Sequence, residues 1–314
     1  MRVVLLQSVM ALGGVEQHML TLGRALRKLG HEAYVVGLID AGGFAQLNEW
    51  SNADGLVPAH IWGGWPENPA RTRMLLEQLE PDVVNVQLPM PPLLADWRVA
   101  PVVGTAHGEF SLEPASGLVG LVCLDHRFAE DTRRLCGRSP VLVRNGVDLE
   151  RFGFRPDFDA REGVAYWGRF DSSKMTAARA VAASTRVDCW GDTARLGEEN
   201  LVCRGRARPE DVLYRYRVVT ATGLCALEAM ACGALLLTPE PSEENLARWS
   251  DSNFAMEEQY PDPAQARLDL AGLLTMPEDD AEARASWCRQ WVEMNHDDMR
   301  MAEQFLEVYE EAMR

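Results

Sequence analysis

The sequence predicts an α/β protein built from two Rossmann-like βαβ domains of unequal size, closed by a C-terminal helix that crosses back to the first. Three observations carry this expectation. Short runs that are apolar on both faces alternate with helical patterns almost from end to end, the pattern of parallel strands covered on each side. A charged, non-periodic stretch over residues 151–162, RFGFRPDFDARE, interrupts the alternation, which then restarts. The chain has 314 residues, 47% of them hydrophobic, enough material for two cores rather than one.

The elements follow in order. In the first domain, residues 1–150, strands are expected over 3–6, 33–38, 83–86, 102–105, 118–124 and 141–144. In the second, residues 151–284, they fall over 163–167, 187–190, 201–204, 217–221 and 234–238. The clearest helix follows Gly14. Val15, Met19, Leu22, Leu26 and Leu29 share one face at helical spacing, and Gly30 stops it. Further helices are expected over 71–79, 127–136, 209–216 and 224–232. From about 281 the pattern is helical again, with Trp287, Trp291 and Met294 on one face, then Ala302, Phe305 and Tyr309. Residues 285–314 come after the second sheet is complete, so they are expected to pack back on the first domain.

Thirty-one Lys and Arg stand against 47 Asp and Glu, a formal charge of −16. That balance argues against a nucleic-acid binder, which needs a basic face for phosphates. Basic residues must therefore act locally, in a pocket. Only Lys28 and Lys174 are lysines, and the arginine bias fits a bacterial genome of high GC content. No stretch is long and apolar enough to span a bilayer, and no signal-peptide pattern precedes the first strand, so the expectation is a cytoplasmic protein. Seven scattered cysteines without a C-x-x-C fit a reduced compartment rather than a disulfide or zinc framework.

Several loops carry possible chemistry. QSVMALGGVEQH places Gly13 and Gly14 between a strand and a helix, where backbone N–H groups can approach a phosphate. It lacks the three-glycine dinucleotide fingerprint, which disfavours an oxidoreductase, and a plain tight turn explains it equally well. YWGRFDSSK puts Arg169 just after a strand and Lys174 shortly beyond, at the edge where open α/β sheets bind ligands. The alternative is an ordinary solvated loop. In TATGLCALEAMACG, Thr222 is a candidate N-cap, and the N–H groups around Gly223, Leu224 and Cys225 form a second anion site. Glu228, one turn further, lies either on the pocket side of the helix or on a solvated face; the small residues after it favour the pocket. His107 ends a strand in VVGTAHGEF, whereas His18 and His31 carry less weight. Asp157-Phe158-Asp159 and His296-Asp297-Asp298 read as solvated charges rather than metal ligands, the second on the terminal helix. There is no H-E-x-x-H, P-loop or nucleophile elbow.

The order of these pieces is more specific than any one of them. GGVEQHMLTLGRALRKLGHEAYVV, LEPDVVNVQ, PVVGTAHG, VLVRNGVDLERF, YWGRFDSSK and LEAMACGALLL together resemble glycosyltransferase family 4, the retaining GT-B enzymes, over nearly the whole chain. The resemblance implies two domains facing a cleft, the first binding the acceptor and the second a nucleoside diphosphate sugar, with no catalytic metal. Carried over by position, Gly14 would offer its backbone to the donor phosphates and His107 would sit near the transferred sugar. Arg169 and Lys174 would neutralise the diphosphate, Glu228 would hold the ribose hydroxyls, and Arg206 would lie in the segment lining the base pocket. The chain departs from the family in its Glu-x7-Glu pair: the position of the first acid is Thr220, in a shortened loop, and Met175 replaces the usual glycine after Lys174. These departures allow an unusual donor or a catalytically silent subunit. A small-molecule acceptor is expected, and Trp62 and Trp65 in HIWGGWPENP could line its site or pack within their own loop.

Overall fold

The structure, a computed structural model, describes residues 1–11, 13–41, 59–61, 69–88, 99–107, 117–155, 157–158, 160–170, 175–191, 196–237, 244 and 262–314. The chain divides into two compact units, Met1–Gly146 together with Asp298–Arg314, and Val147–Asp297. The first holds β1 (Arg2–Met10), α1 (Gly14–Lys28), β2 (Glu32–Asp40), β3 (Ala59–Ile61), α2 (Pro69–Leu79), β4 (Val83–Leu88), β5 (Val102–Ala106), β6 (Gly120–Cys123), α3 (His126–Cys136) and β7 (Val141–Leu142). The second holds β8 (Val164–Trp167), α4 (Thr176–Ala182), β9 (Val187–Trp190), β10 (Leu201–Gly205), α5 (Pro209–Val212), β11 (Val218–Thr220), α6 (Leu224–Ala231), β12 (Leu235–Leu236), α7 (Pro263–Leu274) and α8 (Glu278–Asn295). The last helix, α9 (Asp298–Ala312), returns to the first unit.

Each unit is one parallel sheet, ordered β3-β2-β1-β4-β5-β6-β7 in the first and β10-β9-β8-β11-β12 in the second. Both orders reverse direction beside their first strand, between β1 and β4 and between β8 and β11. At such a switch point the loops leaving adjacent strands part to opposite faces of the sheet, which opens a crevice at the strands' C-terminal ends.

In the first unit the two-residue period of a strand sorts the core onto two faces. Val3 and Leu5 pack with Met19, Leu22 and Leu26 of α1 and with Phe305 and Tyr309 of α9. Val4 and Leu6 face the other way, among Leu75, Leu76, Val84, Val86 and Phe128. Fully burying Phe305 stabilises by roughly 2–3 kcal/mol, so α9 is part of this core although it is distant in sequence. Two polar ties add to this packing: Met301 Sδ receives the Gly146 N–H at 3.1 Å, and Asp298 lies 3.9 Å from the Lys28 ammonium.

The second unit is organised around α6, apolar on nearly every side and buried along its length. Its last carbonyls have no partner inside the helix, and two arginines supply donors. Arg161 Nη2 donates to Cys232 O at 2.7 Å, and Arg289 Nη1 donates to Ala231 O at 2.9 Å. Their positive charge also suits a helix C-terminus. Burial lowers the Arg161 guanidinium to about 10, a group that stays charged at neutral pH.

The C-terminal segment is two helices rather than one from residue 285. α8 stays with the second unit, and only Asp298 onward joins the first. The break at His296 is fixed by tertiary pairing, since Val147 N–H donates to His296 O at 2.8 Å and Val147 bridges Asp297.

Candidate functional site

In the first unit, β1 runs to Met10, beyond the end at Leu6 that the apolar run suggested. Gln7–Met10 continue the ladder with β2, pairing Gln7 with Gly37 and Met10 with Asp40. Gly37 permits this: a Cβ there would fall 1.9 Å from Met10 Cγ. The loop to α1 is consequently short, and Gly13 is the N-cap in extended conformation (φ −156°) without a side-chain cap. Glu16 ties down the incoming chain instead: its buried carboxylate, at the third helical position, accepts the Ala11 N–H at 2.9 Å, two residues before the cap. Gly14 is exposed, and a Cβ on it would meet nothing within 4 Å.

His107 follows β5 directly and is half-buried. Its Nε2 lies 2.6 Å from Gln87 Oε1, and Gln87 Nε2 donates to Asn85 Oδ1 at 2.5 Å. Asn85 Nδ2 and the Thr105 hydroxyl are 3.0 Å apart. Asn85, Gln87 and Thr105 are fully buried, a polar layer inside strands otherwise lined with valine. On its other side His107 meets His18 of α1 edge to face, with ring centroids 5.0 Å apart. His18 Nδ1 lies 2.9 Å from Oδ1 of Asn145, in the R-N-G-V-D motif. Burial lowers His18 to about 4, partly opposed by the Asn145 hydrogen bond. Burial, then the neighbouring His18, lowers His107 well below the usual imidazole range. Both rings are neutral at pH 7. Such a site presents uncharged hydrogen-bonding groups, which suit hydroxyls better than phosphates.

In the second unit, Arg169 and the start of α6 flank the switch point between β8 and β11. Arg169 is exposed just past β8, its carbonyl accepting the Tyr166 hydroxyl. Lys174 lies outside the described residues. Arg206, half-buried, follows β10. The N-cap of α6 is Gly223 rather than Thr222, and no side chain caps the helix. Gly223 has φ 62° and ψ −139°, a conformation open essentially to glycine alone. It turns the chain sharply from β11, so the first N–H groups of α6, from Leu224 and Cys225, emerge at the sheet's C-terminal edge. Gly191, after β9, is also tight: a Cβ there would lie 2.4 Å from Gly168 O.

Glu228 is 4% exposed, so it is not on a solvated face. Burial pushes the thiol of Cys232, one turn on, up to about 12, and the Glu228 charge adds to the rise. Thr220 is the last residue of β11 and wholly buried, its hydroxyl without a partner among the described residues.

The metal candidates do not assemble. Among the described residues no three His, Cys, Asp or Glu side chains are grouped to hold an ion. His296 and Asp298 are buried rather than solvated, His296 against Trp291 with ring centroids 5.0 Å apart; His296 lies at the break between α8 and α9, and Asp298 begins α9. Asp157 is exposed and accepts the Ala160 N–H; Asp159, Trp62 and Trp65 lie outside the described residues. The sequence reading passed over Glu16, Asn85, Gln87 and Asn145. Only Glu16 left a local sign, three residues after the capping glycine.

Residues 12–151 match the family model described as Glycosyltransferase Family 4. No curated protein sequence matches the chain. Solved structures of the same fold include a glycosyltransferase from Rickettsia africae ESF-5, 14% identical, with a TM-score of 0.71 over 100% of this chain and 99% of that one. Anabaena HepE in complex with UDP and glucose is 15% identical, with a TM-score of 0.71 over 98% of this chain and 99% of that one. The pneumococcal O-GlcNAc transferase GtfA in complex with UDP and GlcNAc is 10% identical, with a TM-score of 0.71 over 100% and 99%. The chain thus has the GT-B fold, with its first unit matched to glycosyltransferase family 4.

Proposed function

We propose that the protein is a retaining glycosyltransferase that moves a sugar from a nucleoside diphosphate sugar to a small-molecule acceptor without a catalytic metal. The observation that carries this reading is the switch point of the second unit. There an uncapped helix start at Gly223, the Arg169 cation and the buried acid Glu228 lie on adjoining segments of one sheet edge. Helix N–H groups and fixed cations suit a diphosphate, and a carboxylate one turn inside suits a ribose diol. Lys174 and Arg206 belong to the same assignment by position, and Gly13 and Gly14 to the phosphate side of the first unit.

In the reaction the bond between the sugar's anomeric carbon and the phosphate oxygen breaks, and the diphosphate leaves with the electron pair. Arg169, Lys174 and the start of α6 stabilise that charge, the task a metal performs elsewhere. The acceptor hydroxyl bonds to the anomeric carbon from the face the leaving group vacates, and its proton passes to the departing phosphate oxygen. His107 contacts the sugar as a neutral ring.

Turnover should survive EDTA and give a product with the donor's anomeric configuration, read by proton NMR. Activity abolished by chelator and restored by Mg or Mn, or an inverted product, would contradict the assignment. The missing acid at Thr220 supports a second reading, a subunit that binds a nucleotide sugar without transferring it. Donor binding with neither transfer nor hydrolysis would select that reading.

A further inference from the structure

Behind His107, the first unit contains three buried polar side chains that the reaction outlined above does not use. Asn85 and Gln87 occupy alternate positions of β4, so both project to the same face of the sheet. The parallel register pairs Gln87 with Thr105 and Leu88 with Ala106, which brings the Gln87 amide alongside the end of β5 where His107 emerges. The result is a continuous line, Thr105–Asn85–Gln87–His107, with three members fully buried.

The line has a direction. Gln87 Nε2 donates to Asn85 Oδ1, so the atom Gln87 turns to His107 is its carbonyl oxygen, which can only accept. At 2.6 Å, the imidazole nitrogen facing it must carry the proton. We propose that Gln87 is a positioning residue that holds His107 as its Nε2–H tautomer, with Asn85 and Thr105 fixing the orientation of the Gln87 amide. Nδ1 is then the nitrogen with the lone pair, and the ring meets a ligand through a set orientation rather than a rotating one. His18 is a titratable group that acts on this ring, and it faces the ring from α1. The functional consequence rests on the assignment of His107 to the sugar; the tautomer does not.

The test is long-range proton–nitrogen NMR of the histidine-labelled, ligand-free protein, with the His107 signals assigned by their absence in His107→Asn. The expected spectrum shows His107 Nε2 protonated and Nδ1 bare at pH 7. An Nδ1–H tautomer would mean that the amide line runs in the opposite sense, and would overturn the proposal. Gln87→Leu should leave His107 exchanging between tautomers, whereas Gln87→Glu, which still offers an acceptor, should restore Nε2–H and raise the ring's pKa. A Gln87→Leu protein with the wild-type tautomer would also overturn it. In turnover, Gln87→Leu should lower kcat by about tenfold or more with donor KM little changed, because misplacement of a reacting-site group is felt in the transition state. If the spectra are as expected but His107→Asn transfers sugar normally, the catalytic reading of His107 fails and the positioning inference stands.

Discussion

Two buried side chains make the physical account specific at the scale of single residues. His18 is pulled from the ordinary 6.5 to about 4 by burial. A histidine whose folded pKa lies below its unfolded value leaves the unfolded chain holding more protons as pH falls. Its contribution is therefore complete above about 6.5 and is lost as pH drops toward 4, amounting to roughly 3 kcal/mol. His107 shifts in the same direction. Thermal unfolding followed from pH 7.5 to 4.5 should show stability falling through this window, with a shallower fall in His18→Gln; equal slopes would contradict the burial argument. Thr220 offers the opposite case. Its hydroxyl is buried without a partner among the described residues, so Thr220→Val removes a cost and should raise stability by about 1 kcal/mol in denaturant unfolding. A destabilised variant would show that the hydroxyl is paired after all.

At the scale of elements, β-strands were legible because parallel strands covered on both faces are apolar throughout, as in 3–6 and 164–167. Their ends were less so. Gln7–Met10 extend β1 through a ladder with β2 that only the partner strand reveals. β3 and α7 leave little periodic signal, and α4, seven residues long, is too short for a helical period to stand out. The polar line through Asn85, Gln87 and His107 was hidden for a related reason: it depends on the register of β4 against β5, a contact across 20 residues. By contrast the start of α6 was readable from T-G-L, although the structure gives the cap to Gly223. Because Gly223 sits at φ 62° and ψ −139°, Gly223→Ala should cost about 1–3 kcal/mol of strain or swing the helix start away. Nucleotide affinity should fall with it. Wild-type affinity and wild-type stability together in that variant would show that this turn positions nothing.

For the whole molecule, each of the two parallel sheets reverses its strand order once, and each unit carries candidate polar groups beside that reversal. The chemistry is divided between them. The first unit offers two neutral imidazoles, and the second offers a cation, a helix start with no side-chain cap and a buried acid. That division fits the transfer proposed above, from a diphosphate leaving group to a hydroxyl. The central claim, that the second unit holds a nucleoside diphosphate through its ribose and phosphates, is tested most directly by titration calorimetry. UDP, GDP, ADP and TDP, and the sugar conjugates of whichever binds, are titrated into the wild type and Glu228→Gln. Charge-assisted hydrogen bonds are worth roughly 1.5–3 kcal/mol each, so the variant should lose about tenfold or more in affinity. The loss should be the same for the free diphosphate and for each of its sugars. Contradiction would be a diphosphate that binds Glu228→Gln as tightly as the wild type, or no binding of any of the four to the wild-type protein.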